Sequence, residues 1–244
     1  NNMSCAFSQD VGEEKFSAIV LNKETSLSVT SVERFKKCPF IFCAEKLFKL
    51  SDLPSLDLDI DHMSKGSFMH KLFEKLTVEP MRFEYSDSEM SILLEECRKE
   101  VHLLLGDKRM WQSLKQKYGE LAKSFLKKER EWRQQFPKTQ TIGREVKVRA
   151  RWNQEQRDFV SEDESGILFR GFVDRIDSDG DNNYVIIDYK SSATQKNYSS
   201  WLKDHIYQLA IYSWLVEKGF SELSAGNVLS AVYYVSRTLD RNKG

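Results

Sequence analysis

Apolar residues recur along this chain first with a helical period and later with that of a strand. The first 24 residues follow neither. In SLSVTSVERFKKCPFIF, Thr30 followed by Glu33 predicts a capping box opening a helix, and Pro39 predicts its end or a kink. SDLPSLDLDIDHMSKG reads as a polar loop with four acidic residues. From 67 to 77 the spacing of Phe68, Leu72 and Leu76 is helical, and longer helices are predicted over 88–105 and 109–136. The last of these carries a buried stripe of Trp111, Leu114, Tyr118, Leu121, Phe125, Trp132 and Phe136. Its other face holds Lys115, Lys117, Lys123, Lys127, Lys128, Arg130 and Arg133, which reads as a solvated face or as a track for a phosphate backbone.

After Pro137 the period becomes two. REVKVRARW sets Val146, Val148, Ala150 and Trp152 against Glu145, Lys147, Arg149 and Arg151, a half-buried strand. Strands over 167–177 and 184–190 form a hairpin through Gly- and Asn-containing turn residues; a helix over 199–218 and a strand in NVLSAVYYVSR follow. Helices, a helical insertion at 80–136, strands, a helix and a strand predict an α/β (α+β) domain built on a mixed sheet.

Forty per cent apolar and 30% charged residues describe a globular protein. Lys plus Arg and Asp plus Glu are 37 each, so any nucleic-acid surface must be a local patch. No apolar run approaches the roughly 20 residues that span a bilayer, which excludes a membrane partner of that kind. Four sparse cysteines, Cys5, Cys38, Cys43 and Cys97, point to a reducing cytoplasm. The opening NNMSC and the closing SRTLDRNKG are read as the ends of a piece of a longer polypeptide.

The hairpin GFVDRIDSDGDNNYVIIDYKSS places charge where apolar residues are expected. Folding it about Gly180 brings Asp174 opposite Asp188, and Lys190 shares the face of Asp188 while Ile187 and Tyr189 point away. Two carboxylates in one place raise each other's energy unless a cation lies between them, and a hard divalent ion such as Mg²⁺ answers that need. The plainer alternative is a charged hairpin face with an ordinary Asp188–Lys190 ion pair. Likewise His70 in GSFMHKLFE, behind a Gly66 that admits close backbone approach, reads as an ordinary core or surface residue. Gln208 and Tyr212 in HIYQLAIYSWL read as a structural polar pair.

Taken in order, SVTSVERFKKCPFIF, GSFMH, GREVKV, GFVDRID, VIIDYKSS and YQLAIY resemble the motifs of the PD-(D/E)XK nuclease superfamily over residues 26–235. The nearest likeness is the RecB/AddB-type nuclease domain of bacterial helicase–nucleases. The resemblance implies a restriction-endonuclease-like core over 1–244 with its helical insertion. It implies His70, Asp174, Asp188 and the Tyr189 carbonyl as metal ligands, and Lys190 beside the attacking water. Glu145 is then an auxiliary acid or a holder of Arg or Lys at the rim. Gln208 and Tyr212 contact DNA or brace the Lys190 strand, and Lys147, Arg149, Arg151 and Arg175 grip phosphates. Mg²⁺, replaceable by Mn²⁺, is the implied cofactor, and single-stranded DNA or duplex ends the substrate, with a helicase subunit or linked helicase-like domain as partner. Some relatives bind an iron–sulfur cluster through a cysteine at the CPF position and three later ones. Cys38 matches the first, but no cysteine follows Cys97, so no cluster is expected in this chain. A non-catalytic DNA-binding scaffold, and a stand-alone CRISPR-associated or phage-type exonuclease, are the other functions consistent with this pattern.

Overall fold

The computed structural model describes residues 26–46, 48–50, 62–102, 108–190, 207–219, 227–235 and 240–243. Strand β1 (Ser26–Ser28) leads into α1 (Val29–Lys37) and α2 (Pro39–Lys46). Helices α3 (His62–Leu76), α4 (Asp87–Glu100) and α5 (Lys108–Gln135) precede β2 (Gln140–Asn153), β3 (Asp158–Val160), β4 (Ile167–Ser178) and β5 (Asn183–Lys190). Helix α6 (Gln208–Gly219), β6 (Asn227–Val235) and β7 (Asp240–Lys243) follow. The strands hydrogen-bond in the order β3-β2-β4-β5-β6-β7, with β1 alongside β4. The pairs β1/β4 and β5/β6 are parallel, and β2/β3, β4/β5 and β6/β7 are antiparallel. This is the mixed α/β architecture expected of a restriction-endonuclease-like core. The segment 199–206 of the predicted last helix and 236–237 of the predicted last strand lie outside the described residues.

The chain divides into two compact units, the first comprising 1–53, 148–171 and 201–222, the second 54–147, 172–200 and 223–244. In the first unit, Phe159 of β3 gathers Trp152, Phe169 and Trp214 around it at ring separations of 5.3, 5.3 and 5.7 Å. The predicted cap at Thr30 is corrected here: α1 begins at Val29, and Ser28 Oγ accepts from Ser31 N at 3.2 Å. Ser28 is held extended at the end of β1, so the helix starts directly after it. Glu33 serves another helix instead. Its Oε1 accepts from Tyr207 N and Gln208 N at 2.9 and 3.0 Å, satisfying N–H groups at the start of α6.

The second unit is built on the predicted stripes. Phe68, Leu72, Phe73 and Leu76 of α3 pack with Met90 and Leu94 of α4 and with Trp111, Tyr118, Phe125 and Leu126 of α5. Ile187 and Tyr189 complete this cluster from β5. The segment read as an insertion therefore supplies core to this unit. The lower end of the α5 stripe departs from expectation: Phe136 lies beyond the helix and is exposed, its ring against Trp132 at 4.3 Å. On the basic face of α5, Lys123 and Arg130 reach Asp87 and Glu84 at 2.8 Å each, the solvated reading of that face.

Candidate metal centre

The β4/β5 hairpin turns through Gly180, whose φ of +82° a side chain would strain, and Asn182 at +60°. Its register pairs Arg175 with Ile187 and Ile176 with Ile186. One step further along both strands, Asp174 stands across from Asp188, as the sequence predicts. The outer half of β4 is buried on both faces from Val173 to Asp177, so each polar side chain in it needs a partner.

Tyr189 provides one of these partners through its backbone. Its N–H donates to Asp174 Oδ2 at 2.6 Å, while its carbonyl lies 2.9 Å from His70 Nε2. His70 Nδ1 is in turn 3.3 Å from Asp174 Oδ1. The Tyr189 ring is buried against Phe73 at 4.9 Å and edge-on to His70 at 5.9 Å. A core aromatic thus fixes the peptide groups to which an acid and an imidazole are attached. His70 reaches the strands from α3 without help from Gly66, around which a Cβ would meet nothing within 4 Å among the described residues.

Ligand atoms of His70, Glu145 and Asp174 all lie within 4.8 Å of one another. Asp188 stands beside this set, with Oδ2 2.6 Å from Lys190 Nζ. Glu145 enters from β2 at a residue with φ +48°. The family resemblance implies Glu145 at the rim, as an auxiliary acid or a holder of Arg or Lys, whereas the fold brings its carboxylate among the possible ligands.

The electrostatics show what this crowding costs. Burial raises the Asp188 carboxyl to about 7, with the Lys190 ammonium opposing and the Asp174 charge adding to the rise. Burial, then the Asp174 charge, raise Glu145, although the residue keeps exposed surface. Burial opposes a charge on His70, but its hydrogen bond to Asp174 and the charges of Asp174, Asp188 and Glu145 outweigh it and raise the imidazole. A site where burial pushes acids up and neighbouring carboxylates hold an imidazole up is short of positive charge. One imidazole, carboxylate oxygens and a backbone carbonyl form a donor set that suits a hard divalent cation. The residues present therefore fit a divalent metal.

The other sequence-predicted residues lie elsewhere. Arg175 is a correction: it is fully buried, with Nε 2.6 Å from Asp177 Oδ1 and Nη2 2.7 Å from Glu129 Oε2, and cannot reach a phosphate. Thr141 Oγ1 donates to the same Asp177 oxygen at 2.9 Å. The signal for Glu129 was present as an acid four residues beyond Phe125, on the buried face of α5. Lys147 is exposed on β2; Arg149 donates to Glu162 at 2.8 Å, and Arg151 to the Glu162 and Gly166 carbonyls. In the first unit, Gln208 Nε2 lies 3.3 Å from Tyr212 Oη. The Tyr212 ring is pressed against Gly171 of β4, where a Cβ would come within 2.5 Å of Cε1.

A family model described as the PD-(D/E)XK nuclease superfamily matches residues 26–243. No curated protein matches the chain. The matched span includes His70, Glu145, Asp174, Asp188 and Lys190, and it covers all but the chain ends. The chain belongs to the PD-(D/E)XK nuclease superfamily.

Proposed function

We propose that this chain hydrolyses DNA phosphodiesters with Mg²⁺ as its natural cofactor and Mn²⁺ as a working substitute. The convergence of His70, Glu145 and Asp174 beside the Asp188–Lys190 pair carries this reading. In it, His70, Glu145, Asp174, Asp188 and the Tyr189 carbonyl hold the ion. A bound divalent ion supplies positive charge against the phosphate as negative charge builds there. The protein's own part is orientation. Tyr189 N–H pins one oxygen of Asp174 and so fixes the direction of the other. Asp188 holds the Lys190 ammonium at 2.6 Å, from where Nζ donates to the attacking water or to a phosphate oxygen. Water attacks phosphorus, the bond to the leaving sugar oxygen breaks, the water's proton passes to solvent or to a neighbouring carboxylate, and the leaving oxygen takes up a proton from solvent.

The ordered motifs over 26–235 support a finer reading as a RecB/AddB-type module. On it, the chain degrades DNA ends or single strands exonucleolytically in double-strand-break repair or recombination, coupled to a helicase in the cytoplasm. Among the described residues no helix is long and apolar enough to cross a membrane.

The test is cleavage of end-labelled linear and of circular single-stranded DNA with Mg²⁺. Linear but not circular DNA should be degraded, and D188A and K190A should each lower the rate by about 10²-fold or more. Equal cutting by the parent and both variants removes those residues from the chemistry; cutting of circles removes the exonucleolytic reading.

A further inference from the structure

Helices α1 and α2 and the residues just after them leave an apolar surface uncovered. Phe40 is 61% exposed and Phe48 57%, and Phe35 of α1 is 46% exposed. Phe35 meets the buried Phe42 edge-on at 5.4 Å, which fixes its ring while leaving much of its surface open. Aromatic rings at this exposure lose burial free energy and are costly unless something covers them.

The charge around them indicates what does. Residues 34–50 hold five basic side chains and one acid, a local net charge of +4 in a chain whose total is zero. Glu45 is paired with Arg34. Lys36, Lys37, Lys46 and Lys49 are exposed and make no ion pair among the described residues. An aliphatic docking face for a protein would be rimmed by both signs of charge. Here open rings, with the exposed aliphatics Ile41 and Leu50 among them, alternate with ammonium groups of one sign, a composition that can hold bases by stacking and phosphates by charge.

We infer that this α1–α2 surface binds single-stranded DNA, separately from the residues that do the chemistry. The inference rests on the nuclease reading for its choice of polyanion. Phe40 and Phe48 stack on bases, and the four lysines follow the backbone.

Anisotropy of fluorescent oligo(dT) in EDTA, across a salt series, tests it with the full chain. F40A/F48A should weaken binding about 30-fold or more, as the loss of two base stacks requires, and should leave the salt slope unchanged. K36Q/K37Q/K46Q/K49Q should flatten the slope of log K against log salt by about 3, as four single-strand phosphate contacts require. These positions are exposed, so thermal melts should match the parent. Hydrolysis of a nitrophenyl thymidine phosphate, too small to need a DNA-binding surface, should be unchanged in both variants. Parent-like oligo(dT) binding by both variants overturns the inference. So does a loss confined to anionic phosphatidylserine vesicles, which makes the surface a lipid contact. If those variants bind normally while K190A abolishes cleavage, only the surface assignment fails. If they lose binding while the parent cuts no DNA, only the nuclease reading fails.

Discussion

Arg175 is the residue whose surroundings most change its meaning. Its guanidinium is stable in the interior only because Glu129 and Asp177 both face it. Burial opposes its charge, but those two acids hold its pKa above the ordinary arginine value. R175M leaves two carboxylates without their cation and should cost about 3–5 kcal/mol in urea unfolding. R175M/E129Q/D177N, which removes the charges together, should recover much of that loss. A phosphate-gripping arginine would behave otherwise: its loss would weaken DNA binding and leave unfolding nearly unchanged. The same buried half-strand carries Asp174, so local burial turns one polar residue into a structural anchor and its neighbour into a possible ligand.

At the scale of elements, helix α4 shows how a local signal is written into sequence. Ser86 and Glu89 form a capping box, with Ser86 N donating to Glu89 Oε2 at 2.8 Å and Arg82 to Oε1 at 2.7 Å. The Ser86 hydroxyl, then its backbone N–H, then Arg82 bring the Glu89 carboxyl from 4.5 down to about 2. Because the folded value lies below the unfolded one, this stabilisation is complete above about 4.5 and is lost as pH falls from there toward 2. E89Q should therefore flatten the acid limb of stability against pH in that window, measured by thermal melts from neutral to acid pH. Helix α6 is started differently, by Glu33 from a distant part of the chain. Local spacing announces the first kind of cap and is silent on the second. The three- and four-residue strands β1, β3 and β7 escape sequence reading for a related reason, being too short for alternation to register.

Over the whole molecule, the proposed metal site draws its side chains from α3, β2, β4 and β5 of the second unit, so an ion bound there should stabilise them against unfolding. Mn²⁺ at about 100 times its dissociation constant should raise the melting temperature by about 5 °C or more, and D174A should abolish the shift. An unshifted parent would mean that the cluster of acids and imidazole holds no ion. Much of the fold was legible in the apolar periods: the stripe of α5 as far as Trp132, the helix around Phe68 and the β4/β5 hairpin all stand where spacing puts them. Asp174 opposite Asp188 follows from the hairpin register alone.

The sequence by itself determined the long helices and strands, because periods of 3.6 and two are local properties, and it determined the pairing of the two hairpin acids. Only tertiary structure decided that His70 and Glu145 meet Asp174, that Arg175 turns inward to Glu129, and that the rings of Phe40 and Phe48 remain outside. Burial and long-range charge depend on which elements pack together, and one strand's alternation carries no record of the helix that will cover it.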